Sequence, residues 1–135
     1  MNRRLFLALT WVAAAACGQS GKPKFEPALS WRRDGGIVGF CDELDISAAG
    51  EFRGKSCKFP QTNSGRISKE ELDQLQRWLG DFGKVSIETK DSPAADAVTV
   101  AILLAGKGTG QPDDGGKREM LRWAQRVYSQ RAASK

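Results

Sequence analysis

Three cysteines carry most of the reactive chemistry of this 135-residue sequence, and histidine is absent from it. A thiol can accept a lipid, form a disulfide or act as a nucleophile, and each role needs a different setting. Without histidine, the usual activation of a nucleophile and most zinc sites are excluded. No local spacing points to a serine and lysine pair. The sequence therefore predicts a protein that is not an enzyme and that binds neither a metal nor a cofactor.

The first cysteine, Cys17, follows a segment typical of export signals. Arg3 and Arg4 precede an apolar run, Leu5–Ala16, that is 12 residues long. A helix needs roughly 20 apolar residues to cross a bilayer, so this run is too short for a permanent anchor. The pattern instead predicts a signal peptide over residues 1–16 that is removed during export.

Ala15, Ala16 and Cys17 resemble the lipobox of bacterial lipoproteins, in which small residues precede a cysteine that becomes lipidated. Ala14 stands where that pattern more often has leucine, and Ala14 with Ala16 would also suit an ordinary signal peptidase. The resemblance implies a lipid on Cys17 that anchors the protein to a membrane of the cell envelope. With Gly18 after the cysteine, it implies the outer membrane, facing the periplasm, if the cell is Gram-negative.

The part of the chain after the signal peptide is long enough for one hydrophobic core. Residues 17–24 are mostly polar or proline-bearing and suit a short lipidated tether, which leaves residues 25–135 for a single domain. Two of the 21 basic residues, Arg3 and Arg4, leave with the signal peptide, so 19 basic residues face 16 acidic ones. Basic residues cluster near the C-terminus at Lys117, Arg118, Arg122, Arg126 and Arg131. We interpret them as the solvated face of a helix and predict no nucleic-acid partner.

Three strands are predicted at the start of the domain. Ala28–Arg33 and Ile37–Ser47 are strand-like, and Asp34–Gly36 between them indicates a turn because glycine reaches positive φ without steric cost. A second turn, Ala48–Gly50, leads into the strand Glu51–Lys58. We expect these strands to form an antiparallel meander.

The two remaining cysteines set the register of the second hairpin. If Ala48–Gly50 forms a three-residue loop with its glycine in the left-handed region, Cys41 lies directly opposite Cys57. A two-residue loop would instead put the two sulfurs on opposite faces of the sheet. Lipidation of Cys17 also leaves these two thiols as the natural pair in an oxidising compartment. We therefore predict a disulfide between them, and the alternative is two buried free thiols.

The second half of the domain mixes helices and strands. Ser68 and Glu71 form a capping box that starts a helix, and Gly83 ends it. The core-facing stripe of this helix comprises Leu72, Leu75, Trp78, Leu79 and Phe82. We also predict two further strands, Lys84–Thr89 and Ala97–Leu104, and a second helix, Asp113–Arg131. Loops are predicted at Pro60–Gly65 and Gly106–Gly116.

The order of three strands, a helix, two strands and a helix indicates an α+β fold. We expect an antiparallel sheet of about five strands with two helices. The strand that contains Val100–Ala105 has no polar residue in that stretch, so we expect it to be central with both faces covered.

Two other groups of residues resemble ligand sites only superficially. Gly106–Gly110 is rich in glycine but lacks the Walker spacing, so we interpret it as a flexible connection. Asp42, Glu43 and Asp45 are acidic, yet on a strand the first two point to opposite faces, and no EF-hand glycine follows. We interpret these carboxylates as surface charge.

The segment Trp31–Phe40 resembles the opening hairpin of emfourin-like proteins, small bacterial inhibitors of thermolysin-like metalloproteases. Those proteins tend to show a Ser-Gly-Gly-Phe/Ile-Ala-Gly pattern. The matching residues are Gly35, Gly36, Ile37 and Gly39. Asp34 replaces the serine and Val38 replaces the alanine. The resemblance implies an inhibitor that presents loops to a protease cleft, with the contact at Asp34, Gly35 and Gly36.

Two alternatives to this functional interpretation stay open. The glycines could serve only to make a tight turn. The protein could also be a non-inhibitory envelope lipoprotein that acts as a protein-binding or scaffolding module. The second alternative predicts an exposed apolar patch away from the glycine turn, for example around Trp31 or Trp123.

Overall fold

A computed structural model describes residues 21–133 of the chain. The predicted signal peptide, the predicted lipidation site Cys17 and the first part of the tether lie outside the described residues, as do residues 134–135. The elements are β1 (Pro27–Gly35), β2 (Phe40–Ser47), β3 (Glu51–Ser56), β4 (Phe59–Arg66), α1 (Lys69–Asp81), β5 (Lys84–Lys90), β6 (Val98–Ala105) and α2 (Asp114–Val127). A π-helical turn, Tyr128–Ala132, continues α2.

All six strands belong to one antiparallel sheet in the order β4-β3-β2-β1-β6-β5. The predicted α+β class, with an antiparallel sheet and two helices, is therefore confirmed. The expected count of about five strands is close to the six observed, and the prediction of a loop at Pro60–Gly65 is wrong, because β4 occupies that segment. Almost every side chain of β4 is exposed, so the strand shows no alternation of apolar and polar residues. It forms because it pairs with β3.

The first hairpin also differs in detail from its prediction. The turn spans residues 36–39 rather than Asp34–Gly36, and β2 begins at Phe40 rather than at Ile37. Pairing of Asp34 with Cys41 and of Gly35 with Phe40 extends the ladder to the edge of the turn. Tertiary pairing thus moves the chain reversal a few residues beyond the position that the glycines suggest.

Strand β6 lies inside the sheet, paired with β1 on one side and β5 on the other. Its predicted position within the sheet is therefore correct. The prediction that both of its faces are covered is wrong, because Leu103 on the outer face is 44% exposed. The helices pack on the opposite face only, where Ile102 and Leu104 are buried.

Helix α1 begins where the capping box predicted. The Ser68 hydroxyl accepts from the Glu71 amide at 3.2 Å, and the Glu71 carboxylate accepts from the Ser68 amide at 2.7 Å. The side chains that both helices bury against the sheet include Leu75, Trp78, Leu79, Met120, Trp123 and Val127. Trp31 of β1 is also fully buried in this core.

The strand order places three connections at one end of the sheet, which we call the tip end. These are the turns at residues 36–39 and 57–58 and the connection at residues 91–97. The opposite end holds the start of β1 at Pro27 and the turn at residues 48–50, and we call it the tether end. The turn that the sequence singled out therefore lies at the end of the sheet away from the predicted tether.

Candidate functional site

The β1–β2 turn is a tight four-residue reversal whose conformation depends on glycine. The Gly39 amide donates to the Gly36 carbonyl at 2.9 Å. Gly35, Gly36 and Gly39 have φ angles of 90°, 76° and 66°, which side-chain-bearing residues rarely adopt. The glycines of the motif thus fix the shape of this turn.

Gly35 and Gly36 also pack against the start of β6. A Cβ on Gly35 would lie 2.5 Å from the Ala97 carbonyl oxygen, and a Cβ on Gly36 would lie 2.8 Å from Cγ2 of Val98. Both distances are shorter than side chains tolerate. The close approach to β6 therefore explains these two glycines without a partner, while Asp34 beside them is exposed.

The two residues between the glycines are the most exposed large hydrophobic side chains among residues 21–133. Ile37 is 92% exposed and Val38 is 65% exposed. Isolated apolar side chains are common on protein surfaces. Here, however, two of them are adjacent at the centre of a constrained turn. Phe59, which is 49% exposed, begins β4 at the same end of the sheet. The tip end therefore offers apolar surface for contact with another molecule.

A buried polar network supports the base of this turn from the core side. The Arg33 guanidinium donates to one oxygen of Asp42 at 3.0 and 2.6 Å, and the Tyr128 hydroxyl donates to the other oxygen at 2.9 Å. The Arg33 guanidinium also lies 3.9 Å from the centre of the Phe40 ring, the first residue after the turn. The network therefore connects both ends of the turn to the π-helical turn that carries Tyr128.

The surroundings of the network fix the charges within it. Burial raises the pKa of the Asp42 carboxyl, but hydrogen bonds from Arg33, Ser56 and Tyr128 outweigh burial, so this pKa lies below its ordinary value. Burial and the hydrogen bond to Asp42 raise the pKa of Tyr128 to about 12. Near neutral pH, Asp42 is ionised and Tyr128 is a neutral donor, so every bond of the network can form.

The finding on Asp42 corrects the interpretation of the three neighbouring carboxylates as surface charge. The Asp42 side chain is only 5% exposed. Glu43 points to the other face, where it lies 3.3 Å from Arg32, and Asp45 accepts from Ser30 at 2.6 Å. The prediction that neighbouring residues of this strand point to opposite faces is correct. Which carboxylate lies in the core was not predicted, because the alternation alone does not show it.

The predicted disulfide joins Cys41 to Cys57, with their Cα atoms 5.7 Å apart. Asp42 faces Ser56 on the adjacent rung, and the Gly50 φ of 88° is the left-handed conformation that the predicted loop requires. The register inferred from the two thiols is therefore confirmed. The bond ties the second residue of β2, close to the candidate turn, to the β3–β4 turn.

The remaining candidate residues form no shared site. The connection at residues 106–110 is tied to the end of α1, since the Lys107 amide donates to Leu79 and the Gly108 amide to Phe82, both at 2.8 Å. Arg118, Arg122 and Arg126 are exposed, as predicted for a solvated helix face, and Lys117 is half-buried. The prediction is wrong for Arg131, because its guanidinium is half-buried and donates to the Glu71 carboxylate at 2.7 Å. Within residues 21–133, no helix is long and apolar enough to span a membrane, and no three metal-ligating side chains are clustered.

Sequence reasoning found the turn and the disulfide but missed the network beneath the turn. The available signal was the pairing of Arg33 with Asp42, which are opposite each other once the β1–β2 register is known. Nothing near them in sequence indicates Tyr128, which lies 86 residues after Asp42. Comparison with known proteins gave no matching family, no similar curated protein and no similar solved structure.

Proposed function

We propose that this protein is a membrane-anchored envelope lipoprotein that binds and inhibits a metalloprotease of the thermolysin-like class through its β1–β2 turn. The exposed pair Ile37 and Val38 is the observation that carries the proposal. Burial of one such side chain on a partner contributes about 1.5–3 kcal/mol. The turn therefore has enough apolar surface to anchor a protein contact, and it needs no catalytic group of its own.

The construction of the turn supports an inhibitory role. Binding costs less conformational entropy when the contact residues are already held in place. Here the Gly36 to Gly39 hydrogen bond, the packing of both motif glycines on β6 and the Arg33–Phe40 contact hold the turn before any partner arrives. We propose that Asp34, Gly35 and Gly36 form the base of the contact and that Ile37 and Val38 enter the partner.

The position of the turn also fits a lipid anchor on Cys17. Strand β1 has nine residues, so at about 3.3 Å per residue it places the turn roughly 30 Å from its first residue, Pro27. A tether attached before Pro27 would hold the tether end near the membrane and direct Ile37 and Val38 away from it. A partner protein in the same compartment could then reach the tip end.

The inhibitor proposal is tested by titrating a thermolysin-like protease with the protein purified in mild detergent. We expect stoichiometric inhibition, and we expect Ile37→Asp with Val38→Asp to weaken it at least about thirtyfold, as for residues at the centre of an interface. Leu103→Asp, which replaces one exposed apolar side chain of the outer sheet face by the same acidic residue, is the control and should inhibit normally.

Substitutions of Gly35 and Gly36 are less informative in this titration, because a side chain at either position would clash with β6. The absence of inhibition with several thermolysin-like proteases would contradict the inhibitor proposal. The non-inhibitory envelope module would then be the better account, and its contact surface would have to lie elsewhere than around Trp31 and Trp123, since both are buried.

The anchor is tested separately from the inhibition. Cells that express the protein are grown with radiolabelled palmitate, and we expect label in the wild type but none in Cys17→Ala. Cys41→Ser with Cys57→Ser is the control, because those thiols form the disulfide and should not affect labelling. Equal labelling of the wild type and Cys17→Ala would rule out a lipid on this cysteine.

A further inference from the structure

The two edges of the sheet differ in how they are protected. An edge strand exposes unpaired amide and carbonyl groups, and proteins often block such edges with proline or cover them. Strand β4, at one edge, contains Pro60, which has no amide hydrogen to offer. Strand β5, at the other edge, contains no proline, and the side chains of Ser86 and Glu88 are exposed. The β5 edge is therefore open to pairing.

The direction of the backbone groups of β5 follows from two hydrogen bonds at its ends. The Asp91 amide donates inward to the Val98 carbonyl at 3.2 Å, whereas the Lys84 carbonyl accepts from the Gln111 side chain at 3.1 Å on the outer side. Along an antiparallel strand, successive residues point their amide and carbonyl groups alternately toward the paired strand and away from it. The amide and carbonyl groups of Ser86, Glu88 and Lys90 therefore point outward, and no hydrogen bond within residues 21–133 engages them.

Helix α2 lies beside this edge and forms a groove with it. The groove has a volume of about 300 Å³ and is lined by residues 86–89 and by the first half of α2. The α2 side chains in it are Asp114, Lys117, Arg118 and Leu121. An extended chain that paired with β5 would place alternate side chains against these residues. An edge strand with a helix alongside is a known arrangement for binding peptides by strand addition.

We propose that this groove binds an extended peptide segment with acidic side chains, which adds to the sheet as a seventh strand. The charges around the groove select this partner. On the helix side, Lys117 and Arg118 line it, against Asp114. The side chains of Lys84, Glu88 and Lys90 alternate with the buried Val85 and Ile87 and so point to the other face of the sheet. Arg118 has no ion-pair partner in the described part of the chain, and the Lys117 contact with Asp114 is long, at 3.6 Å. Alternate acidic side chains of a paired peptide would meet these cations.

A second copy of the chain fits the edge less well than an acidic peptide. Pairing two β5 strands about Ile87 would set Lys84 of one protomer against Lys90 of its partner, and like charges directly opposite each other destabilise a pair of strands. A shift that avoids this clash toward the start of β5 is blocked, because Gly110 already bonds to Gly83 and Gln111 to Lys84.

The experiment measures binding of a fluorescent hexapeptide in which glutamate alternates with valine. A peptide with lysine in place of glutamate is the matched control. We expect the acidic peptide to bind, more weakly at high salt, and the basic peptide not to bind. In hydrogen exchange measured by NMR, the acidic peptide should slow exchange of the Ser86, Glu88 and Lys90 amides. The inward amides of Val85, Ile87 and Thr89 should already be slow without it.

Two pairs of variants locate the contact. Glu88→Pro removes an outward amide without breaking the ladder to β6, and we expect it to weaken binding about tenfold. Ser64→Pro is the control, because it removes an outward amide from β4 at the other edge, and it should bind the peptide as the wild type does. The Ile67 amide donates inward to the Gly50 carbonyl, so by alternation the Ser64 amide points outward. Arg118→Glu should also weaken binding, and Arg126→Glu, on another side of α2, should not.

Three outcomes would overturn the proposal. The first is equal binding of the acidic and basic peptides. The second is wild-type affinity in Glu88→Pro together with an unchanged thermal midpoint. The third is a concentration-dependent dimer that Glu88→Pro dissociates, which would make a second copy the occupant of the edge. None of these results depends on protease inhibition, so the two proposals can fail separately.

Discussion

Two neighbouring rungs of the β1–β2 ladder carry the same pair of chemical groups in opposite environments. Arg33 pairs with Asp42 on the core face, where the two side chains are 18% and 5% exposed. Arg32 pairs with Glu43 on the outer face, where the side chains are 55% and 35% exposed. Removing one partner of a buried ion pair leaves the other charge in the core without a partner, which costs stability. An exposed ion pair contributes little to the free energy of unfolding. The environment, rather than the type of charge, therefore decides which pair matters.

The largest expected effect comes from breaking the core rung. Asp42→Ala leaves the Arg33 guanidinium buried without its carboxylate and should lower the free energy of unfolding by about 3–5 kcal/mol. Glu43→Ala is the matched control and should lower it by no more than about 1 kcal/mol. Urea denaturation followed by tryptophan fluorescence measures both. Equal losses in the two variants would show that the difference in burial does not govern stability here.

The disulfide shows how the outer face of the same hairpin is stabilised. Cys41 shares the outer face with Glu43, and the bond closes a loop between residues 16 positions apart. Cys41→Ser with Cys57→Ser should lower the free energy of unfolding by about 3 kcal/mol, chiefly because the unfolded chain gains freedom. The loss should be smaller than in Asp42→Ala, and reduction of the wild type should reproduce it. Two alkylatable thiols in the untreated protein would contradict the bond itself.

The smallest effect is expected from the hydrogen bond between Tyr128 and Asp42 in the core network. Tyr128→Phe removes the donor to Asp42 and should lower the free energy of unfolding by about 1–2 kcal/mol near neutral pH. Stability from the lowered pKa of Asp42 is present above about pH 4 and is lost as the pH falls through the folded-state value. Stability from the raised pKa of Tyr128 is present below about pH 10 and is lost as the pH rises toward about 12.

These losses are measured as unfolding free energies across the pH range. Tyr128→Phe should lack the alkaline loss that the tyrosine causes in the wild type, and Asp42→Asn should lack its share of the acid loss. An unchanged alkaline slope in Tyr128→Phe would show that the hydroxyl is not coupled to the fold.

The candidate site was only partly predictable from the sequence, because some of its features depend on local residues and others on tertiary contacts. The turn glycines were visible because positive φ is a local requirement, and the register of the cysteines followed from the length of one loop. The exposure of Ile37 and Val38 depends on where the ladder ends, and the packing of Gly35 on Ala97 joins residues far apart in the chain. Local patterns carry no information about such contacts.

The amino-acid sequence by itself determined the elements whose signals are local. Ser68 and Glu71 set the start of α1, and the loop before β3 set the opposition of Cys41 and Cys57, because each depends on hydrogen bonds or turns within a few residues. Tertiary structure alone decided that the polar segment β4 is a strand, since pairing with β3 supplies its only cross-strand hydrogen bonds among the described residues. Tertiary structure also decided that Asp42 lies in the core, because Tyr128 reaches it from the far end of the chain.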